Sequence, residues 1–380
     1  MKQKDRIYGL DLMRAIAISM VVLSHALYIF HEYNNSITQA MQVIGVQGVE
    51  VFFVLSGFLI GGILLRLLKD RDFTMKVMLH FWLRRWFRTL PLYYLMLLIN
   101  IIVGLIIGYN LPQEIWKYFF FLQNFHEYHI PFFPESWSLS VEEYAYLLAP
   151  LCIYFWFIFF NGKAKRRDDF FLYASLFLVS VFFASKIGYY ILTIGEPKSL
   201  DLWNSNLKAI VVYRLDAIFY GFLLVYVFKR FNAKIIKLKN KLFILGMAFW
   251  LIVLIVLPVF GVTIEKFPFY WNVLYLPFNS IAICLMLPYL YFLKKPHKRW
   301  SKVIESISLY SYAIYLVHYT FFLYLIRLYF DFESFSLFEC LVCAVFYLVI
   351  TYLLSKYMYL YFERPITDLR DSKFVKSKFV

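Results

Sequence analysis

Ten apolar runs, each close to the length a helix needs to cross a bilayer, punctuate this chain of 380 residues. A hydrocarbon core of about 30 Å takes roughly 20 apolar residues in helical form. The runs lie near 8–30, 46–68, 91–109, 138–160, 170–194, 209–228, 242–260, 271–293, 307–330 and 337–360. No soluble core can hide so many. Composition agrees: 62% of residues are hydrophobic and 17% charged, with mean hydropathy +0.66, against roughly 45–50% and 25% in soluble domains. The expected fold is all-α, a polytopic membrane bundle of about ten transmembrane helices. The first run, from about Tyr8 to Phe30, is too long for a secretory h-region and no small-residue cleavage site follows it, so it reads as the first span. Residues 115–125 are apolar but too short to cross, which suits a re-entrant or interfacial piece. Without repeats or low-complexity linkers, residues 1–366 read as one membrane domain and 367–380 as a basic cytoplasmic tail ending the chain, with no further domain.

Several chemistries have no support. Four cysteines cannot frame a disulfide scaffold. Cys340 and Cys343 sit one helical turn apart in an apolar run, as small residues on a helix do. His126, Glu127, His129 and Glu135 cluster before the fourth run, but they lack a set third ligand, so no metal is expected. No phosphate-cradling or dinucleotide glycine pattern is present.

The net charge of +15 is placed by the connections between runs. With the N-terminus inside, the cytoplasmic connections carry 30 Lys and Arg and the outer ones 4. That asymmetry is the positive-inside signature, so the charge reads as a belt facing anionic lipid rather than nucleic acid. Both termini are expected in the cytoplasm, in a cell (plasma or inner) membrane. Five cations fall inside runs: Arg14, Lys186, Arg214, Arg327 and Lys356.

Charges within spans are costly and mark function. In the first run Asp11, Arg14 and His25 share one stripe, because Arg14 and His25 fall about 20° apart on a helical wheel. Along the axis they are about 16 Å apart, Arg14 toward the cytoplasm and His25 toward the outside. Alone, Arg14 would read as a snorkelling cation and His25 as a core imidazole; the alignment favours function. The fourth run opens Ser136-Trp137-Ser138-Leu139-Ser140-Val141-Glu142-Glu143 and enters from outside, which sets Glu142 about 6 Å below that surface, level with His25. A carboxylate there would orient an imidazole base. Arg85 and Arg88, at i and i+3, share a face on the cytoplasmic side and suit one anionic group, guanidinium forks matching phosphate oxygens. Arg214 and Asp216, at i and i+2, point apart and would pair with other spans. His318, Arg214, Asp216 and Glu363 receive no role from sequence.

The ordered pieces carry a resemblance. Gly9-Leu10-Asp11-Leu12-Met13-Arg14 with His25, the stretch Gly48-Val49-Glu50-Val51-Phe52-Phe53-Val54-Leu55-Ser56-Gly57-Phe58, and Arg84-Arg85-Trp86-Phe87-Arg88 leading to Leu90-Pro91 are three of them. Trp137-Ser138-Leu139-Ser140-Val141-Glu142-Glu143, Ser311-Tyr312-Ala313-Ile314-Tyr315-Leu316-Val317-His318 and Glu363-Arg364-Pro365 complete the set. From about residue 6 to 366 the chain resembles the acyltransferase-3 family of integral membrane O-acyltransferases. Tyr144-Ala145-Tyr146 departs mildly, the family more often having Gln-Phe-Tyr there.

The resemblance implies transfer of an acyl group, most often acetyl, from cytoplasmic acyl-CoA to a hydroxyl of an extracytoplasmic carbohydrate or cell-surface glycan. On this chain it implies a catalytic His25 with Glu142 and Arg14, and donor binding by Arg85 and Arg88 with Arg14. Ser138, Ser140 and Trp137 are the expected substrate contacts. Ser24, Ser56, Ser138, Ser140 and His25 itself are candidates for a covalent acyl-enzyme. The rival reading is a polytopic exporter of a glycan or glycolipid, against which stands the lack of inverted repeats.

Overall fold

The computed structural model describes residues 6–33, 36–70, 73–128, 130–159, 167–297, 299–319, 330 and 332–370. His129, Arg327 and residues 371–380 of the tail lie outside these. The described residues form ten principal helices: α1 (Tyr8–Ala26), α2 (Ser36–Asp70), α3 (Met75–Ile106), α4 (Trp137–Phe159), α5 (Arg167–Leu192), α6 (Asp216–Arg230), α7 (Asn232–Leu251), α8 (Tyr275–Tyr291), α9 (Trp300–Val317) and α10 (Leu337–Met358). Among the described residues there is no strand. The all-α polytopic expectation holds.

Eight helical segments are long and apolar enough to cross a membrane among the described residues, not ten. The two others have simple reasons. α6 spans 15 residues, short of a crossing, and follows a 3-10 turn at Val211–Tyr213. The ninth apolar run is described only through its first half, to Tyr319.

Local chemistry sets the helix starts. Thr74 caps α3, its hydroxyl accepting from the Val77 amide at 3.4 Å. Ser336 and Glu339 form a capping box on α10: the Glu339 carboxylate accepts from the Ser336 amide at 2.8 Å, and the Ser336 hydroxyl accepts from the Glu339 amide at 3.4 Å. α3 departs most from expectation. Its 32 residues run unbroken through Pro91, so Arg84–Arg88 lie well inside the helix rather than in a connection. Hydropathy counts every arginine against a span, yet a guanidinium that finds partners inside the bundle can be carried there.

α1 packs on α2 and α9, α2 on α6, α5 on α6, and α7 on α8. In lipid, close helix approach needs small residues. Gly57 on α2 and Gly221 on α6 supply it: a Cβ on Gly57 would lie 1.9 Å from the Ile218 carbonyl oxygen, and one on Gly221 would lie 2.3 Å from that of Val54. Gly57→Val is expected to push these helices apart at a cost of about 1–3 kcal/mol. The melting temperature of the detergent-solubilised protein checks this, and an unchanged value would refute it.

Buried charge ties the same elements together. Arg214 pairs with Glu50 of α2, Lys186 of α5 pairs with Asp216, and Ser280 of α8 donates to Glu50 at 3.3 Å. As sequence spacing requires, Arg214 and Asp216 pair with other helices and not with each other. The connection 107–136 folds back over the start of α4. The Asn124 side chain donates to the carbonyl of Trp137 at 3.0 Å and to that of Ala209, and the Val211 amide donates to the Asn124 carbonyl at 3.0 Å. Glu135, Ser136 and Ser140 are consequently buried.

Candidate active site

Two cavities among the described residues gather most of the residues singled out from sequence. The first, of about 90 Å³, is lined by Arg14, Ser56, Arg85, Arg88, Glu142 and Tyr312 among others. The second, of about 720 Å³, takes in His25, Trp137, Lys208, Trp271 and Tyr319. Val49 and Tyr315 line both, so these two side chains form a shared wall. The Tyr315 hydroxyl donates to the Glu135 carbonyl at 3.0 Å and lies 2.6 Å from the Ser138 hydroxyl. That leaves Ser138 facing the smaller cavity and Trp137 the larger.

The arginine cavity is a strongly cationic place. Arg14 donates to Asp11 at 3.1 Å, but Asp11 is already shared, since Arg6 binds both its oxygens at 2.8 and 2.9 Å and Ser308 donates at 2.8 Å. Arg85 donates to the Tyr146 hydroxyl at 2.8 Å, lies 4.2 Å from the centre of that ring, and approaches the Glu142 carboxylate at 3.6 Å. Arg88 makes no ion pair with any carboxylate among the described residues. Three guanidiniums, one of them without an ion-pair partner, thus face one small space. An anionic group with several oxygens suits them.

Glu142 does not stand where the sequence suggested. Its carboxylate accepts from Ser56 at 3.0 Å and from Tyr146 at 3.0 Å, on the arginine side of the wall. The partner expected from sequence to orient His25 thus lines the other cavity, and the contact to His25 Nδ1 is made by His318. α4 begins beneath the folded-back connection rather than at the surface, so its first residue is not the surface marker that the sequence reading assumed. Glu143, its neighbour, accepts from Thr89 at 2.7 Å.

His318 instead holds His25. Nδ1 of His25 lies 2.8 Å from Nε2 of His318, and Nδ1 of His318 lies 2.7 Å from the Tyr315 carbonyl oxygen. A carbonyl only accepts, so His318 Nδ1 carries a proton and its Nε2 is the acceptor in the neutral ring. His25 Nδ1 must then donate, which leaves His25 Nε2 as the basic nitrogen. His318 is fully buried, and His25 also packs on Tyr319 with ring centres 4.7 Å apart. Sequence carried a weak signal of this, a histidine inside an apolar helix, without saying which residue it met.

Sequence-derived residues therefore divide. Arg14, Arg85, Arg88, Glu142 and Ser138 meet at one cavity, and His25 and Trp137 at the other. Ser140 lines neither; its hydroxyl accepts from Gln123 at 2.8 Å within the core. Among the hydroxyls weighed for an acyl-enzyme, Ser24 donates to the Val21 carbonyl at 2.9 Å and Ser56 to Glu142. No three potential metal ligands gather among the described residues; His126 contacts Glu127 at 3.1 Å on the surface.

Comparison with known proteins bears on this arrangement. A segment of the chain is 31% identical over 158 residues to the peptidoglycan O-acetyltransferase OatA of Listeria monocytogenes serovar 1/2a (strain ATCC BAA-679 / EGD-e), covering 37% of this chain and 23% of that protein. The chain thus matches less than a quarter of that relative's length. No solved structure matches it. A family described as an acyltransferase domain matches residues 7–357. Since that match runs from α1 into α10 and takes in both cavities, the chain belongs to the acyltransferase-3 family.

Proposed function

We propose that this protein is a membrane O-acyltransferase that moves an acyl group, acetyl in the first instance, from cytoplasmic acyl-CoA to a hydroxyl of an extracytoplasmic carbohydrate. One observation carries the reading: an arginine-lined cavity shares a two-residue wall with a cavity holding a histidine of defined tautomer. The similarity to part of a peptidoglycan O-acetyltransferase supports a glycan acceptor. The excess of cations in alternate connections, which stays large when Arg84, Arg85 and Arg88 are counted with α3 instead, supports an arginine cavity open to the cytoplasm.

In this reading the CoA phosphates dock on Arg85 and Arg88 beside Arg14, and the slender pantetheine arm reaches the wall between Val49 and Tyr315. The sugar hydroxyl enters the larger cavity against Trp137. His25 Nε2 takes the hydroxyl proton as the oxygen attacks the thioester carbonyl. The C–O bond forms, the C–S bond breaks, and the proton passes from His25 to the leaving thiolate. Nδ1–H stays on His318 throughout, which stabilises the imidazolium between the two transfers. Direct transfer fits the serine hydroxyls, which are engaged by protein partners.

Purified protein in proteoliposomes tests the reading with radiolabelled acetyl-CoA on one side and glycan oligosaccharides on the other. Label is expected on the oligosaccharide, with free CoA released in equal amount. If acetyl-CoA neither binds nor turns over, the proposal falls and glycan export becomes the better account.

A further inference from the structure

Among the described residues lining the larger cavity is a lysine that the mechanism above does not use. Lys208 lies in the connection between α5 and α6, in a short π-helical turn at Asn204–Lys208. Its ammonium sits 5.0 Å from the centre of the Trp137 ring. It is half-buried, and it makes neither an ion pair nor a side-chain hydrogen bond among the described residues. Two carboxylates line the same cavity, Asp201 exposed at its edge and Glu135 buried at the start of α4, and neither pairs with Lys208. A ligand filling this cavity would take the ammonium out of water, which is costly unless the ligand itself brings an anion.

The surrounding surface indicates what carries that charge. Trp137, Trp203, Trp271 and Tyr275 line the same space, Trp271 and Tyr275 stacking with ring centres 4.5 Å apart. Flat aromatic faces suit the C–H faces of sugar rings, and Asn204 and Ser205 add amide and hydroxyl partners on the turn that bears Lys208. We propose that this cavity selects an anionic saccharide acceptor, with Lys208 binding a carboxylate or phosphate of the glycan while the sugar ring lies against Trp137 and its hydroxyl faces His25.

Placing the reacting hydroxyl at His25 rests on the acyltransferase reading; anion selection by the cavity does not. Burial, with Arg214 nearby adding repulsion that Glu50 partly offsets, pushes the Lys208 ammonium down to about 8. The sign follows directly. Below that value Lys208 is charged and binds an anion; as pH rises through it the charge is lost. Affinity for an acidic oligosaccharide is therefore expected to fall between about pH 7 and 9, while that for a neutral one holds.

The test is direct binding, by intrinsic tryptophan fluorescence of the purified protein in detergent, with three probes and no acyl donor. These are a galacturonic acid oligomer, a glycerol-phosphate oligomer bearing sugar, and a neutral N-acetylglucosamine oligomer. In wild type an acidic probe is expected to bind more tightly than the neutral one, and the preferred acid names carboxylate or phosphate as the source. Lys208→Gln is expected to reduce the acidic-over-neutral affinity ratio roughly 10- to 100-fold, since hydrogen bonds to charged groups are the stronger kind. Lys208→Arg is expected to restore most of it, and the Lys208→Gln ratio is expected to be flat with pH. A fold check is retained acetyl-CoA binding. The inference is overturned if no probe binds, if the neutral oligomer binds as well as the acids, or if Lys208→Gln leaves the ratio unchanged. Equal loss of transfer rate to acidic and neutral acceptors in Lys208→Gln would also overturn it, because that pattern belongs to a group acting on the reaction itself. If acids bind through Lys208 but no acyl group is transferred, the acyltransferase reading fails and the binding site stands.

Discussion

His25→Ala is expected to lower the rate of acyl transfer roughly 10²- to 10⁴-fold, the range removed with a general base, while acetyl-CoA binding persists. Steady-state transfer in proteoliposomes measures the first and equilibrium binding the second. The effect should be large because His25 is the histidine facing the cavity beyond the shared wall, and its tautomer is set two bonds away by a backbone carbonyl. His318→Ala removes the acceptor for His25 Nδ1–H, and a roughly 10-fold or greater fall in kcat is expected with KM for the donor little changed. His318→Gln keeps an acceptor oxygen and should recover part of the loss. A histidine that merely fills space would show equal losses in the two variants and an unshifted pH–rate profile. Full activity in His25→Ala would end its assignment as base.

Removing Arg88 is expected to weaken acyl-CoA binding roughly 10- to 100-fold, since a charge-assisted contact to phosphate is among the stronger polar interactions. Arg88 makes a cleaner test of the donor site than Arg85 because no described carboxylate forms an ion pair with it, although the buried Glu363 carboxylate lies in its field. Arg85→Ala should weaken binding too, but it also strands Glu142 and the Tyr146 hydroxyl, and breaking such a pair can cost stability as well. Arg85→Lys keeps the charge and loses the fork, so it separates the two effects. Isothermal titration with CoA and with 3′-dephospho-CoA would identify the phosphate held. Unchanged affinity in both Arg88→Ala and Arg85→Lys would refute a donor site in this cavity.

Particular residues illustrate how far the chain could be read before folding. Arg14 and His25 were separable from sequence because a helix converts eleven residues into a fixed rise and a small rotation, and the structure sets them at the two cavities that the rise requires. Arg85 and Arg88 share a cavity for the same reason, three residues on a helix being one face. Glu142 misled because its depth was counted from a helix start assumed to lie at the surface, whereas Glu135 and Ser136, just ahead of it, are buried under the preceding connection. Ser140 misled because its motif neighbours face a cavity while its own hydroxyl faces Gln123.

By itself the sequence determined the membrane bundle, the apolar segments, the stripe on α1 and the paired arginines, all of which depend on periodicity and composition along one helix. The tertiary structure decided which helices meet: the pairing of His25 with His318, 293 residues apart, the bonding of Glu142 to Ser56 from 86 residues away, and the wall that Val49 and Tyr315 make between two cavities. Helical spacing specifies the face on which a side chain stands, but the residue it touches across an interface depends on close packing such as that at Gly57 and Gly221, which no single segment encodes.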